Sequence, residues 1–210
     1  MKPIILVNLK TYQTGLDSVK ISKIIATVDK NILVAAQASD IYEITKSTKL
    51  KVYSQHVDPF EPGRNTGFIL PEAIKKDGAI GTLLNHSEHK LDLKTIKETI
   101  IRCKKIKLKT MVFAKDLKEA KQIKKFNPDF IIYEPPELVA GNISVSESKP
   151  QVISDFAKKL NKDFLVGAGI KTNQDLKKSI ELGAKGIALA SAITTAKNPK
   201  KVLKDLIKLK

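Results

Sequence analysis

The run AIGTLLNHSEHKLDLKTIKETIIRCKKIKLKTMVF, residues 79–113, holds two apolar stretches separated by a helical one. Residues 79–84 are short, apolar and unbroken, which reads as a strand. Leu93, Ile96, Ile100 and Cys103 then recur at spacings of three and four, the period of one helix face. Thr110-Met111-Val112-Phe113 is a second strand. Neither strand alternates cleanly between apolar and polar residues, as expected where both faces of a parallel sheet are covered. The run is a β-α-β unit.

The same unit repeats on both sides. Ile4-Ile5-Leu6-Val7 precedes a helix with Ile21, Ile24, Ile25 and Val28 on one face. Ile32-Leu33-Val34 precedes a short helix over 41–45, and Lys51-Val52-Tyr53-Ser54 precedes a helix starting at Pro71. Downstream, Asp116 caps a helix with Leu117, Ala120 and Ile123 inside. Phe130-Ile131-Ile132-Tyr133 leads to a helix opening near Pro150, a favoured first-turn residue, with Val152, Ile153, Phe156 and Leu160 buried. Phe164-Leu165-Val166 leads to a helix ending at Gly183. Residues 186–190 form the last strand, and Asn198-Pro199 opens a helix with Val202, Leu203, Leu206 and Ile207. Eight strand–helix pairs in 210 residues is about 26 residues per pair, the size of a compact (β/α)₈ barrel. An open doubly wound sheet shares the alternation, and the pattern favours the barrel. No repeat, linker or low-complexity segment interrupts it, so residues 1–210 are expected to form one domain.

The composition narrows the function. With 42% hydrophobic residues and no apolar run near 18 residues, the chain reads as globular and without a membrane span. Met1-Lys2-Pro3-Ile4 runs straight into a strand, so no signal peptide is expected. Cys103 is the single cysteine and has no partner for an internal bridge, which suits a reducing cytoplasm. The net charge of +16 attracts anions. The lysines are spread over every helix and aromatic residues make up only 5%, so a solvated surface is favoured over a nucleic-acid footprint.

In such a barrel the active site lies where strands end and βα loops begin. Asn8 and Lys10 follow the first strand, Asn85-His86-Ser87-Glu88 the fourth, Glu134 the sixth, Gly167-Ala168-Gly169 the seventh, and Ala190 and Ser191 the eighth. Singly, each has an ordinary reading: a surface lysine, a capping glutamate, a structural histidine. His86 and His89 are three apart, but no third ligand has suitable spacing, so no metal is expected. The glycine turn lacks the third glycine of a dinucleotide fingerprint, because Thr172 stands there. A phosphate site is the better reading, since the loops after the last two strands of barrels commonly form one.

Together these residues resemble a known family. Asn8-Leu9-Lys10-Thr11-Tyr12, Gln55-His56, Gly81-Thr82-Leu83-Leu84-Asn85-His86-Ser87-Glu88, Tyr133-Glu134-Pro135-Pro136-Glu137-Leu138, Gly167-Ala168-Gly169-Ile170 and Leu189-Ala190-Ser191 are similar, in order, to the triosephosphate isomerases. The short helices and the Glu-Pro-Pro-Glu-Leu segment resemble the compact archaeal branch. The resemblance implies a TIM barrel without cofactor that interconverts dihydroxyacetone phosphate and D-glyceraldehyde 3-phosphate. It implies Glu134 as general base, His86 as electrophile and Lys10 as the catalytic cation. It counts Asn8, Leu9, Lys10, Val139, Ala140, Gly169, Ala190 and Ser191 as substrate-binding positions, and the segment around Val139-Ala140-Gly141 as a lid. A weak carbon acid needs a close, desolvated base, and the oxyanion that forms needs fixed donors and a cation. A different phosphate-binding barrel enzyme, or a lapsed barrel binding nucleic acid through its basic surface, is the alternative.

The chain also departs from the family pattern. Val139-Ala140-Gly141-Asn142 replaces Ile-Gly-Thr-Gly in the lid, Leu9 replaces an aromatic residue, Phe113-Ala114-Lys115-Asp116 replaces a cysteine-rich turn, and Ala192 replaces a glycine. Residues 56–67 make a long βα loop, and long ordered loops are usually binding or lid elements. In the family that loop enters a neighbouring subunit, so self-association is expected, as the homotetramer of the compact branch or as a dimer, with no nucleic acid or membrane partner.

Overall fold

The computed structural model describes residues 2–138 and 144–208. Eight parallel strands pair in chain order and close into a barrel: β1 (Ile4–Asn8), β2 (Leu33–Ala36), β3 (Lys51–Ser54), β4 (Gly81–Leu84), β5 (Lys109–Ala114), β6 (Phe130–Tyr133), β7 (Phe164–Val166) and β8 (Gly186–Leu189). Closure is made by β8 against β1, with Val7 opposite Leu189. Outside lie α1 (Gly15–Val28), α2 (Ile41–Ser47), α3 (Pro71–Lys76), α4 (Leu93–Lys105), α5 (Leu117–Lys124), α6 (Val145–Ser148), α7 (Pro150–Leu160), α8 (Asn173–Glu181), α9 (Ser191–Thr194) and α10 (Pro199–Leu206). None of the described helices is long and apolar enough to cross a membrane.

The unbroken apolar strands divide into two cores. Leu6, Leu33, Ala35, Tyr53, Leu83, Met111, Phe113, Ile132, Leu165 and Ala188 fill the barrel. Their chain neighbours, such as Val7, Val34, Val112, Ile131 and Val166, pack outward on Ile25, Ile44, Ile96, Ile100, Ile123, Phe156 and Leu203 of the helices. Each fully buried Leu or Ile contributes roughly 1.5–3 kcal/mol, so both faces of every strand stabilise the closure. Helix starts follow local chemistry: the side chains of Asp92, Asp116 and Asn198 accept N–H bonds from Thr95, Glu119 and Lys201, and Thr172 with Asp175 forms a capping box.

Two sequence expectations change. The spacing groups Leu93 with Ile96, Ile100 and Cys103, but Leu93 is exposed at the first position of α4. The sixth unit carries α6 and then α7, and the last unit α9 and then α10, where the sequence indicates only the second helix of each pair.

Two strand glycines are required by close approach. A Cβ on Gly81 would lie 2.2 Å from the Tyr53 ring, and one on Gly186 would lie 1.9 Å from the carbonyl oxygen of Ile4. The second contact is backbone across the closing seam and cannot swing aside. Gly186→Ala is therefore expected to lower the unfolding free energy by about 1–3 kcal/mol, the usual cost of overpacking. Urea denaturation checks this, and an unchanged midpoint would contradict the seam contact.

Candidate active site

Strand parity carries the interior face to the barrel mouth. Two residues beyond interior Leu6 stands Asn8; two beyond Ile132 stands Glu134; two beyond Ala188 stands Ala190. Side chains two apart in a strand share a face, so these groups converge above the apolar plug. Lys10 and Asn85 follow their strands in left-handed conformations, with φ of 47° and 59°. Asn85 is buried and pinned three ways: its amide donates to Phe113 O at 2.9 Å and to Glu119 Oε1 at 3.1 Å, and its Oδ1 accepts from Leu91 N at 3.0 Å. Asparagine tolerates this backbone region better than most residues. The turn it makes brings the next residue, His86, over the mouth.

Two of the candidate catalytic groups are in contact. His86 Nε2 lies 3.2 Å from Glu134 Oε2, and Ser87 Oγ donates to the same oxygen at 3.3 Å. Nδ1 of His86 accepts the backbone N–H of Glu88 at 3.1 Å, so the neutral ring carries its proton on Nε2 and donates toward the carboxylate. The imidazole edge also stands on the Phe113 ring, 4.7 Å between centroids at 80°. Lys10 Nζ pairs with Glu88 Oε1 at 2.6 Å. Asn8 Oδ1 accepts from Lys10 N at 3.0 Å and from Gln55 Nε2 at 3.2 Å.

Burial pushes the Glu134 carboxyl up to about 7 against the opposing pull of Lys10 and the Ser87 hydrogen bond. Burial also pulls the His86 imidazole down to about 4, helped by the positive charge of Lys10. Near neutral pH the pair is a basic carboxylate beside an uncharged N–H donor. That combination suits proton removal from carbon with a donor ready for the adjacent oxygen.

Opposite lies the glycine turn after β7. Ala168 and Gly169 both have φ of 69°, and successive residues with unusual φ can turn their N–H groups toward one point. Gly167 also makes room for the base, since a Cβ there would stand 3.0 Å from Glu134 Oε1. Asn8, Lys10, His86, Glu134, Gly169, Ala190 and Ser191 line one cleft of about 600 Å³, counted with its space open to solvent. Leu9 is not brought to it: its side chain is fully buried in the outer core. Val139 and Ala140, with the remainder of the expected lid through Asn142, lie outside the described residues. Tyr12, Phe113 and Lys171 also line the cleft and were not expected. Phe113 could have been found by parity from Met111, and Lys171 by its place just past the glycine turn. Among the described residues no three His, Cys, Asp or Glu side chains cluster as metal ligands.

A family model described as Triosephosphate isomerase matches residues 3–209. Proteins named triosephosphate isomerase are similar over nearly their whole length. That of Methanobacterium bryantii is 38% identical, covering 98% of this chain and 96% of its own. That of Sulfolobus acidocaldarius is 40% identical, with 98% and 94% covered. That of Methanocaldococcus jannaschii is 39% identical, with 98% and 99% covered. The crystal structure of triosephosphate isomerase from Bartonella henselae superposes with a TM-score of 0.75, covering 99% of this chain and 97% of that one, at 17% identity. At that identity the match speaks for the fold alone.

The buried carboxylate has a measurable effect on stability. Its pKa stands at about 7 in the folded chain against the ordinary glutamate value of 4.5. Between those values folding takes up a proton at Glu134, so stability falls as pH rises through that window. Glu134→Gln removes the effect. The variant is expected to be about 2–3 kcal/mol more stable than wild type at pH near 8. Near pH 4, where the carboxyl is protonated in both states, the two should match. Urea unfolding at both pH values checks this, and equal stability at the higher one would contradict a desolvated carboxylate.

Proposed function

The chain belongs to the triosephosphate isomerase family, and from that premise we propose how its cleft performs the reaction. The protein is an isomerase that interconverts dihydroxyacetone phosphate and D-glyceraldehyde 3-phosphate, an aldose–ketose conversion of glycolysis and gluconeogenesis. Glu134 takes a proton from one substrate carbon, leaving an enediolate, and returns it to the neighbouring carbon. His86 donates from Nε2 to the substrate oxygens as charge develops on them. Lys10 stabilises that charge, and Asn8 orients the substrate, its oxygen already engaged by Lys10 N and Gln55. Gly169, Ala190 and Ser191 receive the phosphate through main-chain N–H groups. The net change moves hydrogens within one molecule, so no redox cofactor takes part. The observation that carries this reading is the 3.2 Å contact between Glu134 and a neutral His86 in a buried mouth.

We further propose that the barrel acts as one domain in the cytoplasm and assembles into a homotetramer through the loop after β3. That loop is held by its own chain: Asp58 bonds Ile69 N at 2.7 Å, Phe60 packs on Phe68 at 4.5 Å, and Arg102 reaches Phe60 O at 3.3 Å and pairs with Glu72. Its tip is exposed, with Phe68 54% accessible. Beside the reacting groups lies a second depression of about 980 Å³ lined by Gln37, Ser39, Gln55, His56, Glu88 and His89 among others. It can receive such a tip from another copy. Lys10 and His86 also line it, so assembly would support the catalytic groups.

A coupled assay with glyceraldehyde 3-phosphate tests the reaction. Wild type should turn over, and Glu134→Gln should lose roughly 10³-fold or more in kcat while staying folded. His86→Ala should lower kcat more than it raises KM. In wild type, log kcat/KM should fall with unit slope below about pH 7, following the free-enzyme carboxyl. Full activity in the Gln variant would end the assignment.

Sedimentation analysis tests the assembly. The wild type should run as an oligomer, and Phe68→Asp should shift it toward the monomer with a matching loss of activity. A wild-type monomer at full activity would remove the assembly proposal and leave the reaction standing.

A further inference from the structure

One charged side chain at the glycine-turn end of the cleft has no part in the proton transfer. Lys171 lies two residues beyond Gly169 and lines the same cleft as Glu134, His86 and Ser191. Its backbone is fixed: Lys171 N donates to Asp175 Oδ2 at 3.1 Å, beside Thr172 N at 2.9 Å. The Asp175 carboxylate is thereby engaged in the cap of α8; burial pushes its pKa up, but hydrogen bonds from Ser144, Lys171 N and Thr172 outweigh it and hold the carboxyl below the usual range. The turn is rigid and the lysine is carried at its edge, exposed.

Charge balance shows what the cleft lacks without it. At the reacting end Lys10 is paired with Glu88 at 2.6 Å, and the working base is a carboxylate. Lys90, whose charge also reaches Glu134 and His86, is paired with Glu119 at 2.8 Å, and Lys10, Glu88 and Glu134 together carry a net negative charge when the base is ready. A phosphate monoester arriving with nearly two negative charges meets that field. Main-chain N–H groups of the 168–169 turn supply partial charges only. Resting on the isomerase reading above, we propose that Lys171 is a phosphate-binding, specificity-determining residue of this cleft, selecting the charged ester over its unphosphorylated analogue. An ammonium on a flexible stem acts as a point charge on phosphate. Because it is exposed, its contribution is modest and screened by salt.

The test uses Lys171→Met and Lys171→Arg in the full chain. KM for glyceraldehyde 3-phosphate and the calorimetric Kd of inorganic phosphate should both rise about fivefold in the Met variant at low ionic strength. The increase should shrink in high salt, kcat should fall by less than about twofold, and Arg should restore most of the binding. The KM for unphosphorylated glyceraldehyde should not follow. An unchanged phosphate Kd, marking an ordinary solvated lysine, overturns the proposal. So does an equal rise in KM for the unphosphorylated analogue, which marks a distorted turn. Phosphate binding needs no turnover. A wild type without isomerase activity whose phosphate Kd still depended on Lys171 would remove the reaction and leave this assignment.

Discussion

Closing eight parallel strands on themselves leaves no strand with a free face. Every residue of a strand must belong either to the plug inside or to the layer under the helices, and the pleat decides which. From that constraint the cleft follows directly. Leu6, Ile132, Leu165 and Ala188 fill the interior, so the residue two further on in each strand is delivered to the rim with its side chain on the same face. Asn8, Glu134, Gly167 and Ala190 occupy those places. Residues separated by more than a hundred positions meet because their strands are in register, not because any loop searches for its partner. His86 is the exception to simple parity. It reaches the mouth through the left-handed turn at Asn85, which β5 and α5 hold by hydrogen bonds to Phe113 O and Glu119.

The same closure keeps water from the base. A carboxylate that has lost its hydration is harder to ionise and a stronger base once ionised. At Glu134 burial outweighs the attraction of Lys10, and the folded chain carries an unfavourable electrostatic term so that the site can work near neutral pH. The burial of His86 has the opposite consequence, keeping its ring neutral. Two ionisable groups in one environment therefore separate: the carboxyl becomes harder to ionise and more basic, and the imidazole stays neutral with an N–H to donate. Local stability is given up at one residue and held elsewhere by two extensive apolar cores.

Much of this was legible in the sequence, for physical reasons that differ by residue. Strand and helix order could be read because apolar period is a local property: Ile96, Ile100 and Cys103 fall on one face in the chain and in the fold. Asn8, Lys10, His86 and Glu134 could be listed because strand ends are marked by the sudden arrival of polar residues. What could not be read depended on direction. Leu9 sits between two cleft residues, and only the pleat turns it into the outer core. Leu93 carries the right period, but its position at the start of α4 leaves it in solvent. Lys171 is one lysine among many in a chain with net charge +16, and only its place just past the glycine turn sets it apart from the others.

That last case bears on what the large positive charge does. In physiological salt the field of an exposed charge is screened over about 8 Å, so most lysines on the outer helices cannot act on a ligand in the mouth. Their sum draws anions toward the surface, which can raise the encounter rate with a phosphate ester, but it cannot hold or orient one. Holding falls to groups within reach of the cleft, and there the count is small: Lys10, tied to Glu88, and Lys171 at the glycine turn. A protein can thus be strongly basic overall while the few charges at its cleft, Lys10 and Lys171 against Glu88 and an ionised Glu134, nearly balance. The position of each charge relative to the phosphate, and not the net total, decides whether it takes part in recognition.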